Sequence, residues 1–480
     1  MQKLKHIHLI GICGTAMASL AGMLQQQGHF VTGSDAAAYP PMSDLLASLN
    51  IKVYEPYAES NLEPRPDLVV VGNAISRGNP ELEYVLDNRI PFCSMAAILH
   101  DEFLAGRESL VVAGTHGKTT TTSMLAWIYE TASRRNPALA PSFLIGGVAE
   151  NFGTSFMVRP TRPFLLEGDE YDTAFFDKGP KFLHYFPDAA ILTHVEFDHA
   201  DIYADLAAVK TAFKRLINLI PRRGRVVAFD ASENVSECVA NAFCTVERYG
   251  FAGNSQWRIT DLRHDQALSR WTLLRDGVKF AELRLPMAGE HNALNATAAA
   301  ALAAGQGVPV EAIVEALASF RSVKRRLEVS SVVEGITIID DFAHHPTAIR
   351  ETLRALRESY PGRRLVAVLE PRSNTLRRNV FEAALVESLA LADRVVLANV
   401  FQSENIPANE RLVPENVVDH LKEIGTPAAV YPDADAIVGA LAPQLQRGDV
   451  VAILSNGGFG SIYQKLPRAI AHSVAAVEQA

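Results

Sequence analysis

The chain of 480 residues is poor in cysteine. It has only Cys13, Cys93, Cys238 and Cys244, and no two are spaced as Cys-x-x-Cys. Four thiols cannot staple a chain of this length, and the spacing argues against a structural zinc site. Positive charge is not in excess either: 45 Lys and Arg face 54 Asp and Glu, a net charge of −9. An acidic surface does not attract nucleic acid or an anionic membrane, so neither is expected as a partner. Local basic pockets for small phosphates remain compatible with that balance. No apolar run approaches the roughly 18 residues of a transmembrane helix. The apolar segment that follows His6 stops at Ile12, too short for a signal peptide. Short-period repeats and low-complexity segments are missing as well. A cytoplasmic protein with no obligate protein partner is the expectation.

What remains is ordinary globular composition, 48% apolar and 21% charged. At about 150 residues per domain the length allows roughly three domains. In the first hundred residues, short apolar runs (Ile7–Ile12, Phe30–Gly33, Lys52–Tyr54, Leu68–Val71) alternate with helical patterns such as Met17–Gln27. That alternation predicts a doubly wound parallel sheet with its ligand at the strand ends. A second α/β unit begins near Glu108, with strands at Leu110–Ala113, Phe164–Leu166 and Ala189–Leu192. It continues through the β-rich section Arg223–Pro286 and an alanine-rich helix from His291 to Gln306. A third begins near Val323, with strands at Thr337–Ile339, Leu365–Leu369, Arg394–Ala398, Ala428–Tyr431 and Val450–Leu454. The predicted fold class is α/β in three domains. These are a Rossmann-like N-terminal domain (1–107), a central P-loop ATPase domain (108–322) and a Rossmann-like C-terminal domain (323–480).

The sharpest chemical signal is Gly114-Thr115-His116-Gly117-Lys118-Thr119-Thr120, between a strand and a helix. A Gly-rich turn there aims backbone N–H groups and the helix dipole at phosphates. Lys118 would neutralise the β/γ-phosphates, and Thr119 would ligate Mg²⁺. The pattern is a shortened P-loop, because Val112 stands where the usual first glycine would be. Two further strands run into acid: Glu167-Gly168-Asp169-Glu170 after Phe164–Leu166, and His194-Val195-Glu196-Phe197-Asp198-His199-Ala200-Asp201 after Ala190–Thr193. Carboxylates at a strand end beside a P-loop hold its metal. The oxygen-rich set favours Mg²⁺ over zinc. The competing reading of the first is a solvated acidic turn, and of the histidines in the second a satisfied core residue.

Other candidates are weaker one by one. Gly11-Ile12-Cys13-Gly14-Thr15 is a strand-to-helix turn without the full dinucleotide glycine spacing. Asp35 stands where such enzymes bind a ribose hydroxyl. Asn292 and Asn295 open the alanine-rich helix, as caps or as purine contacts. Lys324-Arg325-Arg326 at the second domain junction is either a solvated triplet or a clamp on the γ-phosphate. Asp340-Asp341-Phe342-Ala343-His344-His345-Pro346 ends a strand, where ribose or substrate would bind.

Taken in order, Gly11–Thr15, Gly114–Thr120, Glu170, His199, His291–Asn295, Arg326 and Asp340–Pro346 resemble the Mur ligase family along nearly the whole chain. Those are three-domain, ATP-dependent enzymes that join amino acids or peptides to UDP-N-acetylmuramic acid. The Asp340–Pro346 and Gly11–Thr15 stretches resemble the branch acting directly on UDP-N-acetylmuramate. Within it, four stretches look like members that add the recycled tripeptide L-Ala-γ-D-Glu-meso-diaminopimelate rather than L-alanine: Gly33–Asp35 with Tyr39–Ser43, Glu170–Lys178, Glu370–Thr375 and Ser455–Gly460.

The resemblance implies an ADP-forming amide ligase of murein recycling and cell-wall biogenesis, and hence of cell shape and division, working through an acyl phosphate. Lys118, Glu170, His199 and Arg326 would be catalytic. One Mg²⁺ would sit on Thr119 and Glu170, and a second on His199. ATP would meet Gly114–Thr120, Asn292, Asn295, Arg326 and Asp341. The UDP-sugar would meet Gly11, Gly14, Thr15, Asp35 and Ser76. The peptide would meet His345, Arg372, Ser455 and Asn456, with Gly457-Gly458 letting it approach the backbone. Lys118 is expected on an exposed loop. Two readings from other classes stand beside this one: an NAD-dependent oxidoreductase, and a nucleotide-binding switch without catalysis.

Overall fold

The computed structural model describes residues 4–38 and 42–478, so Tyr39, Pro40 and Pro41 lie outside the described residues. Three sheets succeed one another along the chain. The first has five strands: β1 (His6–Ile10), β2 (Phe30–Ser34), β3 (Lys52–Tyr54), β4 (Leu68–Val71) and β5 (Phe92–Ser94). Their order is β3-β2-β1-β4-β5, all parallel. The chain reverses direction across the sheet between β1 and β4, the switch point at which open α/β sheets leave a crevice. β1 is shorter than its apolar run predicts: Gly11 has φ +82° and turns the chain out of the strand.

The second sheet has ten strands. They are β6 (Glu108–Ala113), β7 (Ser142–Ala149), β8 (Thr154–Met157), β9 (Pro163–Gly168), β12 (Ala189–Leu192), β13 (Arg225–Phe229), β14 (Thr245–Gly250), β15 (Trp257–Asp265), β16 (Leu268–Arg275) and β17 (Val278–Leu285). A separate hairpin, β10 (Asp172–Ala174) with β11 (Asp177–Pro180), follows β9. The order is β17-β16-β15-β14-β13-β12-β6-β9-β7-β8. β6 therefore lies between β9 and β12, parallel to both. Leu110–Ala113 of β6 and all of β12 are runs of buried apolar residues, as strands covered on both faces must be. The helices Lys118–Ser133 and Glu290–Gly305 pack together over this sheet. The alanine side chains of the second let the backbones approach closely, and all of Asn292–Ala303 is buried.

The third sheet has six strands in the order β18-β19-β23-β20-β21-β22: β18 (Glu328–Val333), β19 (Ile336–Asp341), β20 (Leu365–Leu369), β21 (Arg394–Ala398), β22 (Ala428–Tyr431) and β23 (Val450–Leu454). Only β18 runs antiparallel. After β20 a single 3-10 turn, Asn379–Phe381, leads into a helix Glu382–Leu389. No described helix is long and apolar enough to cross a membrane.

Candidate active site

Strand order explains why distant motifs meet. Ala113, the last residue of β6, pairs with Gly168 of β9 on one side and Leu192 of β12 on the other. The chain leaves all three strands in the same direction. It delivers the loop 114–117, the acids after Glu167 and the segment from Thr193 to Asp201 to one edge. The loop is tied to its neighbour. Thr115 N–H donates to His194 O at 2.7 Å, the Thr193 hydroxyl donates to His116 O at 2.6 Å, and Glu196 N–H donates to the Thr115 hydroxyl at 2.9 Å. Glycine is required twice. Gly114 (φ +128°) lies against Thr193 and Gly117 (φ +80°) against Asn295, so a Cβ at either would collide.

Lys118, the first helical residue, is not on an exposed loop. Its side chain is 16% exposed and its ammonium donates to Glu170 at 2.9 and 3.1 Å and to Gly114 O at 2.8 Å. The Glu170 carboxylate is 2% exposed. Burial alone would raise its pKa, but the Lys118 charge and the His199 ring outweigh that and hold it low. His199 Nε2 lies 3.2 Å from Glu170 Oε1. Burial would depress its pKa, but Glu170 and Asp198 raise it. Thr119 does not face Glu170. Its hydroxyl donates to Glu167 at 3.1 Å, and the Arg326 guanidinium lies 3.5 Å away. Glu167 is a site residue that the motif reading left in an acidic segment. It also accepts Gly146 N–H at 2.6 Å, and burial raises its pKa.

Two cavities flank this cluster. One of about 350 Å³ is lined by His116, Gly117, Thr120, Asn292, Asn295, Arg326 and Asp341. Most of the residues expected at ATP thus share one space, with Gly114 and Thr115 shaping its loop. The asparagines do not cap their helix: its N-cap is Gly289, and the Asn292 amide instead donates to Ala288 O at 2.7 Å. Asp341 accepts from Leu327 N–H at 2.7 Å, Ala343 N–H at 2.9 Å and the Thr352 hydroxyl at 3.1 Å. It therefore fixes the third unit's own backbone at the cavity wall. Of the basic triplet, only Arg326 reaches the loop. Arg325 is spent on Asp340, Ser455 O and the Tyr463 hydroxyl.

The other cavity, about 340 Å³, is a polar cleft lined by Tyr171, His199, His344, Arg372, Arg377 and Asn456, among others. Two residues expected at the peptide are elsewhere. Ser455 is fully buried and its hydroxyl bonds to Glu370, because it is still in register with the end of the strand. His345 lines neither cavity and is buried against the His116 ring, with ring centroids 4.6 Å apart. Its Nε2 lies 3.3 Å from Phe197 O, its Nδ1 accepts Thr347 N–H at 3.3 Å, and burial lowers its pKa to about 4. The neighbouring His344 faces the cleft in its place. At Gly457 the missing Cβ leaves room for the Arg372 side chain, which stacks on Phe401 at 3.8 Å.

In the first sheet, Gly14 precedes the helix Thr15–Gln26. Asp35 is turned onto the loop rather than held out as a free ribose ligand. It accepts Cys13 N–H and Ala36 N–H, each at 2.8 Å, and the Tyr57 hydroxyl at 3.2 Å. Ser76 lies exposed after β4, across the switch point.

Comparison with known proteins places this arrangement. Three family models match in succession: the Mur ligase family catalytic domain at residues 6–106, the Mur ligase middle domain at 112–303 and the Mur ligase glutamate ligase domain at 325–457. The chain is 43% identical over 473 residues to the UDP-N-acetylmuramate–L-alanyl-γ-D-glutamyl-meso-2,6-diaminoheptanedioate ligase of Escherichia coli, covering 98% of this chain and 100% of that one. A murein peptide ligase from Psychrobacter arcticus superposes with a TM-score of 0.73 at 36% identity, covering 97% and 99% of the two chains. A UDP-N-acetylmuramate–alanine ligase from Thermotoga maritima shares the fold, with a TM-score of 0.78 at 23% identity over 99% of each chain. With its motifs assembled at one edge and its whole length matched, the chain belongs to the Mur ligase family.

Proposed function

We propose that this protein is an ATP-dependent ligase that joins L-Ala-γ-D-Glu-meso-diaminopimelate to the lactyl carboxylate of UDP-N-acetylmuramate, giving ADP and phosphate. The carrying observation is the chain Lys118–Glu170–His199, which runs from the loop bordering the first cavity to the wall of the arginine-bearing cleft. The name of the E. coli relative describes the same reaction partners. In this reading residues 1–107 hold the UDP-sugar, 108–322 hold ATP and 323–480 hold the tripeptide. An oxidoreductase or a non-catalytic switch has no use for a second substrate cleft against the P-loop acids.

The chemistry follows from charge. A carboxylate attacking a triphosphate meets repulsion, so fixed cations must face the developing charge. Lys118 and Arg326 supply them, and Lys118 is released from Glu170 as phosphate arrives. Asp169, Glu170 and His199 form an oxygen-rich donor set, and Thr119 and Glu167 form a separate pair. One ligand atom each from Asp169, Glu170 and His199 lies within 4.8 Å of the others, which fits Mg²⁺. When bound, Mg²⁺ supplies further charge neutralisation on the phosphates. The carboxylate takes the γ-phosphoryl group and ADP leaves. The tripeptide amine then attacks the acyl carbon and phosphate departs. Arg372 and Arg377 offer the cleft's carboxylate-binding charge. The third unit, docked over the P-loop edge, excludes water that would hydrolyse the acyl phosphate.

The test is a product assay with ATP, UDP-N-acetylmuramate and equal concentrations of tripeptide and L-alanine. The expected product carries the tripeptide, with oxygen-18 from the muramyl carboxylate appearing in phosphate. Preferred use of alanine would move the enzyme to the alanine-adding branch, and label in AMP would end the acyl-phosphate mechanism.

A further inference from the structure

The segment Glu196–Asp201 belongs to the central unit and is bonded there to Thr115, His116 and Tyr171, yet the third unit holds it as well. The Thr347 hydroxyl donates to Glu196 at 2.7 Å, and the Asn374 amide donates to Asp201 at 2.7 Å. Between them sits Thr375, on the loop that follows β20 and 2% exposed. Its hydroxyl donates to Asp198 Oδ1 at 2.6 Å and accepts Ala200 N–H at 3.3 Å. One atom of the third unit thus grips the residues on both sides of His199. Asp198 Oδ1 in turn accepts His199 N–H at 2.7 Å. His199 has φ +54°, a conformation that non-glycine residues hold only when their surroundings impose it. The turn so fixed sends the His199 ring to Glu170.

We infer that Thr375 is a positioning residue, through which docking of the third unit sets the His199 turn and so completes the metal- and phosphate-facing cluster of the central unit. His199 is then in place only when the amine-binding unit is docked. ATP bound to an undocked protein faces an incomplete cluster. The inference rests on the proposed role of His199 in that cluster.

The experiment compares Thr375→Val, which keeps shape but has no hydroxyl, with Thr375→Ser, which keeps the hydroxyl. Both are measured in the wild-type and His199→Ala backgrounds, reading kcat, the KM for ATP and, without turnover, the Mg²⁺ affinity of the ADP-bound protein by titration. Thr375→Val should lower kcat about tenfold or more, as misplacement of a catalytic group does, and should weaken the Mg²⁺ affinity while leaving the KM for ATP unchanged. Thr375→Ser should stay close to wild type. In the His199→Ala background the Val substitution should add almost nothing, because the group it positions is already gone. Wild-type kcat and Mg²⁺ affinity in Thr375→Val would overturn the inference. So would equal damage from Ser and Val, or a full additional loss in the His199→Ala background. Wild-type behaviour of His199→Ala alone would instead sink the assignment of the cluster.

Discussion

Two turns in this molecule connect a parallel strand to a helix through glycine, and they are built for different loads. In the turn at 114–117 both glycines are sterically compelled, and the loop is bonded to the segment after β12. A buried cation, Lys118, opens the helix. In the turn at 11–14, only Gly11 has a positive φ. A Cβ added at Gly14 would make only ordinary van der Waals contact, its nearest non-neighbour atoms lying 3.7 Å or more away. No cation follows, and the side chain on the loop is the Asp35 carboxylate. Backbone N–H groups and a helix terminus are common to both. The turn at 11–14 suits a diphosphate already bonded at both ends, which needs only to be held. The turn at 114–117 suits a triphosphate whose charge must be neutralised while a bond breaks.

The comparison breaks most visibly at Lys118. Lys118→Met should lower kcat by roughly 10²–10³-fold with normal binding of the UDP-sugar. The buried ion pair adds a second consequence that an exposed loop would not show. Glu170 keeps only His199 as a partner, at a stability cost of about 3 kcal/mol. Adding Glu170→Gln should recover much of that stability without recovering activity. Thermal unfolding of the single and double variants checks this. An unchanged midpoint in Lys118→Met would mean the pair carries nothing.

Alanine at the two glycines sharpens the contrast. Gly114→Ala combines a disfavoured φ with a collision against Thr193 and the His194 backbone. It should abolish ATP turnover and destabilise by roughly 2–3 kcal/mol. Gly14→Ala has room and an ordinary φ of −65°. The fold should be unaffected, and the KM for UDP-N-acetylmuramate should rise if the diphosphate touches the backbone there. Equal damage at both positions would erase the distinction drawn between the turns.

This contrast also marks what is legible in the amino-acid sequence. Lys-Thr after glycine at a strand-to-helix junction has few other uses, so the nucleotide loop is legible. The acids after β9 and β12 are legible as clusters, but their convergence depends on β6 lying between those strands, which is long-range topology. Facing is not legible at all where the chain leaves a strand. His344 and His345 are adjacent, yet His344 lines the cleft while His345 is buried against His116, and Ser455 is sealed in while Asn456 lines the cleft. Asp35 is found by its position in a βαβ unit, but its bonds to Cys13 and Tyr57 follow from how β2 and β3 end, not from local sequence.

Asp35 gives a smaller test. Asp35→Asn keeps one acceptor oxygen and loses the other, and with it one charge-assisted bond to the turn. A loss of about 1.4 kcal/mol at such a bond is a tenfold change, so the KM for UDP-N-acetylmuramate should rise up to about tenfold with the KM for ATP unchanged. Titration with NADH should give no response in either protein. Tight NADH binding without a response to the UDP-sugar would reassign the first sheet.

The smallest effect is expected in the acid limb of stability, and only on the side of the nucleotide turn. The Glu196 backbone N–H donates to Thr115, and its carboxylate braces the turn by facing His116 at 3.2 Å while receiving the Thr347 hydroxyl from the third unit. Burial by itself would raise its carboxyl pKa. The bond and charge of His116, then Thr347 and His345, outweigh burial and bring it from 4.5 to about 2. A carboxyl held below its unfolded value binds protons less readily in the folded state, so its contribution is fully present above about pH 4.5 and drains away as pH falls toward 2. Glu196→Gln cannot titrate. Its unfolding midpoint should lie below that of the wild type at about pH 6–7, and the two should converge as pH drops from about 4.5 toward about 3. Other carboxylates titrate in both proteins and cancel in the difference. A gap that stays constant down to about pH 3 would show that the Glu196 charge does not brace the turn, leaving its hydrogen-bond geometry as the whole of its role.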